Sequence, residues 1–398
     1  MTVATATLYE VADINPRFDR AEFSNLAEVV TFVPMAKVSE VSGAITTEEH
    51  RPVGELLKGF TPFSDRDVLV AKITPCFENG KIAHARISKR AGFSSTEFHV
   101  VRADTERLDD RYLFHFLRQP LIRVRGEKRM TGSGGQRRVP KAFLESLKVP
   151  LPPLAEQRRI AAILDNANAL RAKRREAIAK LDQLLQCVFI DMFGDPVTNP
   201  KGLSELSLGE LVSSTKIGLV RSANEFGEDF DIPYVRMDAV SADGKFLPDK
   251  VKKTSASESE MSDYALEPGD FLFNTRNSKE LVGKTCVYNG PPGWTFNNNL
   301  MRIRFKEGVA SSVIAMQFQF GRVKRELEKR KSGTTSVYAV YWRELQSLPL
   351  LLPPASQQQK FAAIKAKIEA HRRALQRHGT QFDDLFAGVR QRAFAGTL

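Results

Sequence analysis

Val282-Gly283-Lys284-Thr285 has the form of the end of a phosphate-binding loop, in which glycine amides cradle phosphates and a lysine reaches toward them. That motif needs a glycine five residues before Gly283, and the position holds Ser278. No Gly-x-Gly-x-x-Gly follows a strand-like run, so a Rossmann-type dinucleotide or adenosylmethionine site has no support. The Asn-Pro-Pro-aromatic tetrapeptide of adenine methyltransferases is also absent. The six histidines are scattered. His371 and His378 lie seven apart on one expected helix face and could share a metal, but no third ligand is in view. Cys76, Cys187 and Cys286 are odd in number and lack metal-ligand spacing, which reads as reduced thiols of a cytoplasmic protein. No Asp, Glu and Lys set is spaced as a nuclease centre. What remains for chemistry is recognition by cations and polar loops, above all Thr131-Gly132-Ser133-Gly134-Gly135-Gln136-Arg137-Arg138 and Ser332-Gly333-Thr334-Thr335-Ser336-Val337-Tyr338.

Those two loops occupy matching places because the chain is a repeat. Asp67-Val68-Leu69-Val70 returns as Asp270-Phe271-Leu272-Phe273, and Gly80-Lys81 as Gly283-Lys284, each 203 residues on. Phe93-Ser94-Ser95-Thr96 returns at the same offset as Phe296-Asn297-Asn298-Asn299. Pro152-Pro153 recurs as Pro353-Pro354, and each pair opens a long polar helix pattern. A period near 200 is far beyond that of a solenoid and implies two copies of a domain plus a helix.

Within each copy, short β-like runs alternate with turn signals. Asp67–Ile73 and Phe98–Val101 read as strands, and Asp109–Leu121 as a helix with Leu113, Phe116 and Leu117 on one face. From Leu154 the pattern changes. Ile160, Ile163, Ala167, Leu170, Arg174, Ala177, Leu181, Leu184 and Val188 recur at steps of three and four, an a/d seam suited to a coiled coil with Arg174 as its charged member. The 38 residues 154–191 would extend about 57 Å as a helix. The second copy repeats the seam through Phe361, Ile364, Ile368, Leu375, Phe382, Leu385 and Val389. Gly194-Asp195-Pro196 ends the first helix.

The 398 residues carry a formal net charge of +12 and a pI near 9.6. Excess positive charge draws polyanions, which makes nucleic acid the leading partner class, with a generic basic surface as the alternative. The N-terminal Met1–Thr5 has neither basic region nor apolar core, so no signal peptide is expected. No apolar run approaches the roughly 18 residues of a membrane span.

The chain resembles the specificity subunits of type I restriction–modification systems over nearly its whole length. The residues that carry the resemblance are Val149-Pro150-Leu151-Pro152-Pro153-Leu154-Ala155-Glu156-Gln157 with its helix, Leu184–Pro196, and Ile73–Lys81 with Phe93–Phe98. The second copy departs from it, with Ala355-Ser356-Gln357-Gln358 where Leu-x-Glu-Gln is usual. The resemblance implies an α+β protein with an internal pseudo-two-fold repeat. Two similar α/β target-recognition domains, 1–150 and 194–348, would be separated by two long antiparallel spacer helices, a central one within 151–193 and a C-terminal one within 349–398. Each domain would read half of a split double-stranded DNA sequence. Two methyltransferase subunits and a restriction endonuclease subunit would be the partners, holding S-adenosylmethionine, ATP and Mg. This chain would hold no cofactor and catalyse nothing.

Lys and Arg against phosphates give orientation, and Arg, Asn, Gln or Lys against base edges give sequence. The candidate DNA contacts are Lys72, Lys81, Gln136, Arg137 and Arg138 in the first domain, and Arg276, Asn277, Lys284, Thr334, Thr335 and Tyr338 in the second. The bland reading of each is a solvated basic loop. Leu154, Arg158, Arg159, Arg174 and Arg175 are candidates for the methyltransferase partner, or for a solvated helix face. Two other classes stay open: a stand-alone nucleic-acid scaffold, and an enzyme with an unrecognised centre.

Overall fold

Both long helices are continuous, Leu154–Phe193 and Ala355–Ala395, in a computed structural model that describes residues 4–133, 135–333 and 336–397. The chain divides inside them. One unit holds residues up to Ala177 with those from Leu375 onward; the other is Ile178–Ala374. Each unit therefore owns the N-terminal half of one helix and the C-terminal half of the other.

Val68-Leu69-Val70-Ala71 shows how the first unit is layered. Successive strand side chains point to opposite faces, so a strand apolar at every position must be covered on both sides. Val68 and Val70 join a core with Tyr112, Leu113, Ile160 and Leu164 from the helices. Leu69 and Ala71 join another with Val33, Phe63, Ala83 and Val100. The strand sits in an antiparallel sheet ordered Ala12–Ile14, Phe98–Ala103, Val68–Ala71, Ile82–His84. A second sheet, Glu49–Pro52, Val29–Val33, Gly92–Ser94, Thr61–Phe63, lies beyond and contains one parallel pair, Val29–Val33 with Gly92–Ser94.

The second unit repeats this plan. Phe271–Asn274 and Thr285–Val287 stand 203 residues after Val68–Ala71 and Ile82–His84, in a sheet ordered Val212–Ile217, Leu300–Phe305, Phe271–Asn274, Thr285–Val287. Phe271 and Phe273 face the helix-side core and Leu272 the opposite one. The second sheet again holds one parallel pair, Ile232–Val235 with Thr295–Phe296. Even the entry to each copy recurs: Thr5–Thr7 pairs with Lys148–Pro150 and Ser204–Ser207 with Pro349–Leu352. Each entry strand ends in a capping box, Thr7 with Glu10 and Ser207 with Glu210.

Two expectations are corrected. The helix expected over 109–121 is two, Asp110–Leu117 and Pro120–Glu127. Proline lacks an N–H and disfavours a helical residue before it, so Gln119 is extended and Pro120 starts afresh at the first helical position. The expected helix seam holds only in part: Ile160 and Phe361 are buried and Arg174 meets Phe382, but other members are not covered. Leu170, Leu184 and Leu385 are 54%, 47% and 57% exposed. In the first unit the helices meet through the seam residues Arg174 and Phe382, and beside them through Arg171 with Asp383 at 2.5 Å and over the ring of Phe386. In the second, Phe189, Phe193 and Phe361 pack edge to face beside Phe320. Burial is greatest where the helix halves meet the sheets' own helices, because that is where a facing apolar surface exists.

Candidate nucleic-acid interface

In the first unit the Gly-rich loop folds back as a hairpin and docks on the chain leaving Val68–Ala71. Thr131 and Arg138 exchange backbone hydrogen bonds of 3.0 and 2.8 Å. The Thr74 N–H donates to the Arg137 carbonyl, and the Val139 N–H to the Lys72 carbonyl, both at 2.9 Å. Gly132 has φ +122°, and a side chain there would press within 2.7 Å of the Gln136 carbonyl oxygen, so only glycine lets the hairpin close. This geometry gathers Lys72, Gln136, Arg137 and Arg138.

The gathered side chains are not equally available. Arg138 is held bidentately by Glu97, with bonds of 3.0 and 2.8 Å. This hydrogen bonding raises the Arg138 pKa and holds the Glu97 carboxyl below its usual range, with Lys72 adding to the latter. Arg137 has only a loose carboxylate, Glu78 at 3.6 Å, and Gln136 is exposed. His99 anchors the base of the hairpin: one ring nitrogen lies 2.9 Å from the Val139 carbonyl and the other 3.2 Å from the Asn15 amide. Burial pushes the His99 pKa down, so the ring is neutral there.

The second unit builds the same device from different side chains. Arg276–Asn277 pairs with Tyr338–Ala339, which pairs with Ser332–Gly333. Gly333 is as crowded as Gly132, with a side chain there falling within 2.5 Å of the Val337 carbonyl oxygen. The Val340 N–H donates to the Thr275 carbonyl at 3.0 Å, as Val139 does to Lys72. Arg276 is exposed, with Tyr341 6.0 Å away, and the Lys279 ammonium sits 5.9 Å from the Tyr338 ring. Asn277 turns inward, donating to Asn274 Oδ1 at 2.9 Å. Thr334 and Thr335 lie outside the described residues.

Lys81 and Lys284 stand apart from the hairpins as internal struts. Lys81 Nζ donates to the Met35 carbonyl at 3.2 Å, and Lys284 Nζ to Met237 and Val240 carbonyls at 3.1 and 2.6 Å. Burial lowers the Lys284 pKa. Among the partner candidates, Arg159 pairs with Glu156 at 2.7 Å, and Arg158 lies 3.7 Å from Asp109. Leu154 is half-buried, Arg175 is exposed, and Arg174 lies against Phe382 between the helices. His371 and His378 are both exposed, and among the described residues no three His, Cys, Asp or Glu side chains cluster as a metal site. No helix of the described residues is long and apolar enough to cross a membrane.

Sequence reasoning missed the groups that hold these surfaces in place. Gln157 is buried; its Oε1 accepts from the Asp109 N–H at 2.9 Å and its Nε2 donates to the Arg107 and Pro152 carbonyls, both at 2.9 Å. Gln358 does the same with the Ala310 N–H and the Pro353 carbonyl. The Gln that survives in Ala355-Ser356-Gln357-Gln358 is thus the member of the motif that ties helix to domain. Asp67 and Asp270, which open the repeated strand, are buried and clamp Arg102 and Arg304 bidentately. Asp165 on the first long helix binds Arg111 and His115; burial opposes its charge, yet these partners hold its pKa down to about 2. Recurrence of Gln157 and Asp67 at the repeat offset was the signal that could have found them.

Residues 2–180 match the family described as the type I restriction modification DNA specificity domain. The chain is 39% identical over 155 residues to the specificity subunit of the Escherichia coli type I restriction enzyme EcoEI, a stretch covering 39% of this chain and 26% of that protein. It thus spans about a quarter of that relative's length. Against the EcoKI specificity subunit of Escherichia coli strain K12, identity is 22% over 363 residues, 86% of this chain and 77% of the relative. A solved chain, from a structure of complex assembly and conformational transition in the type I R-M system, shares the fold over 100% of this chain and 98% of its own, with TM-score 0.57 and 21% identity. The first unit is thus matched by the model of the type I restriction modification DNA specificity domain, and the repeated plan is shared end to end with a solved chain of a type I R-M system.

Proposed function

We propose that this chain is the DNA-reading subunit of a type I restriction–modification complex and recognises a bipartite duplex target, one half through each hairpin. The carrying observation is that one backbone device, a Gly-closed hairpin docked on a strand extension, occurs in both units with different outward side chains. Gln136 and Arg137 present amide and guanidinium donors in one; Arg276, Lys279, Tyr338 and Tyr341 present cations and aromatic faces in the other. An identical scaffold with divergent tips is what reading two different half-sites requires, since phosphate contacts position the protein and base-edge contacts specify sequence. In this reading the exposed helix faces receive two methyltransferase subunits. Adenine methylation and cleavage, with S-adenosylmethionine, ATP and Mg, belong to the methyltransferase and restriction subunits.

The test is long-read mapping of methylated adenines in cells carrying the partner methyltransferase subunit, with and without this chain. A split motif appears only with the chain. Gln136→Ala/Arg137→Ala relaxes or weakens the first half alone and Arg276→Ala/Tyr338→Ala the second alone, each base contact being worth about 1–3 kcal/mol. Absence of chain-dependent methylation with both proteins expressed, or hairpin variants that leave both halves unaltered, overturns the proposal.

A further inference from the structure

In the first unit, Arg118, Arg123, Arg171, Arg175 and Arg390 line one recess of about 280 Å³, formed between the Asp110–Leu117 and Pro120–Glu127 helices and the two long-helix halves. The recess shares no residue with the hairpin surface. Its counter-charge is small. Asp383 takes Arg171, and Glu40 lines the recess, but no carboxylate among the described residues pairs with Arg118, Arg123, Arg175 or Arg390. Arg118 is satisfied by the carbonyls of Glu40, Val41 and Ser42 at 3.0, 2.9 and 2.8 Å, which fix its guanidinium without neutralising it. Arg171 and Arg390 both lie over Phe386, 5.0 and 5.4 Å from the ring centre. Burial first, and then the neighbouring arginines, push the Arg118 pKa down to about 10.

The repeat supplies an internal control. Because each unit takes opposite halves of the two helices, Arg118, Arg123, Arg171 and Arg390 correspond to Gln319, Lys324, Arg372 and Phe189. The neighbouring recess in the second unit balances Lys245, Lys365 and Arg372 against Asp182, Asp243 and Glu369. The same framework thus folds with a balanced set, so architecture alone does not demand five arginines. Clustering them without anions costs repulsion, a cost that a bound polyanion would offset.

We infer that this recess is a binding site for phosphate groups. Guanidinium forks match phosphate oxygens bidentately, and Arg118 and Arg171 are held in place beforehand. The phosphate can come from a free oligophosphate or from the backbone of a bound duplex. The two sources differ in experiment, and only the second rests on the DNA-reading proposal. The test is calorimetric titration of the full chain with inorganic pyrophosphate at low salt, beside the salt dependence of duplex binding. The variant is Arg175→Gln/Arg390→Gln, since neither side chain makes a hydrogen bond or ion pair among the described residues; unchanged or raised thermal stability without ligand verifies its fold.

Saturable pyrophosphate binding by the wild type, weakened at least about tenfold in this variant and unaffected by Lys324→Gln/Arg372→Gln, establishes the site. A slope of log affinity against log salt that falls by about 1–2 in the variant assigns the phosphates to the duplex. An unchanged slope with pyrophosphate binding lost assigns them to a free oligophosphate. No saturable pyrophosphate binding together with an unchanged slope overturns the inference. Absence of any chain-dependent split methylation motif, with pyrophosphate binding intact, would instead count against the DNA-reading proposal alone.

Discussion

Replacing Gln157 by Leu should detach the first long helix from its domain energetically while leaving the volume nearly unchanged. The buried amide makes three hydrogen bonds of 2.9 Å, and its loss leaves the Asp109 N–H and the Arg107 and Pro152 carbonyls without that partner. At about 1 kcal/mol for each bond removed from a buried site, the cost is about 3 kcal/mol. For a unit of about 200 residues this lowers the melting temperature by about 6–12 °C. Gln157→Glu sharpens the argument. A carboxylate still accepts from Asp109 but places negative charge against two carbonyl oxygens, so it should cost more than Leu at pH 7. Because the folded state raises that carboxyl's pKa, the deficit should shrink as pH falls toward 4. Scanning calorimetry of the full chain, assigned by the same substitution at Gln358, reads both effects. A loss below about 1 kcal/mol for Gln157→Leu, or equal losses for Leu and Glu at pH 7, would refute the clamp.

Phe361→Ala should destabilise the second unit by about 3–5 kcal/mol, since the ring is fully buried against Phe189 and Phe193; urea unfolding measures it, and a loss near 1 kcal/mol would show that the cluster repacks. Acid should weaken the first unit in two stages. The His99 and His115 pKa values are lowered, by burial first, so their contribution is present above pH 6.5 and is lost as pH falls below it. Burial raises Asp165, but His115 and Arg111 together hold it down to about 2, so its contribution is present above about pH 4 and is lost as pH falls through 2. Urea midpoints that stay flat from pH 7.5 to 5 would contradict the first stage.

Read alone, the chain already declares its duplication, its strand-rich domains, its two long helices and its resemblance to type I specificity subunits. These rest on short-range signals: strand alternation, helical steps and motifs repeated 203 or 201 residues apart. The folded structure decided which residues those elements present. Lys81 and Lys284 look like free cations in sequence, but each meets a carbonyl more than 40 positions away. Arg138 is half spent on Glu97, 41 residues earlier. The helix seam is buried only in part because an a/d pattern reports which stripe is apolar, not whether anything faces it. The five-arginine recess draws on residues from 118 to 390, a grouping that no local pattern encodes because charge has no period and its partners are chosen only when the chain is folded.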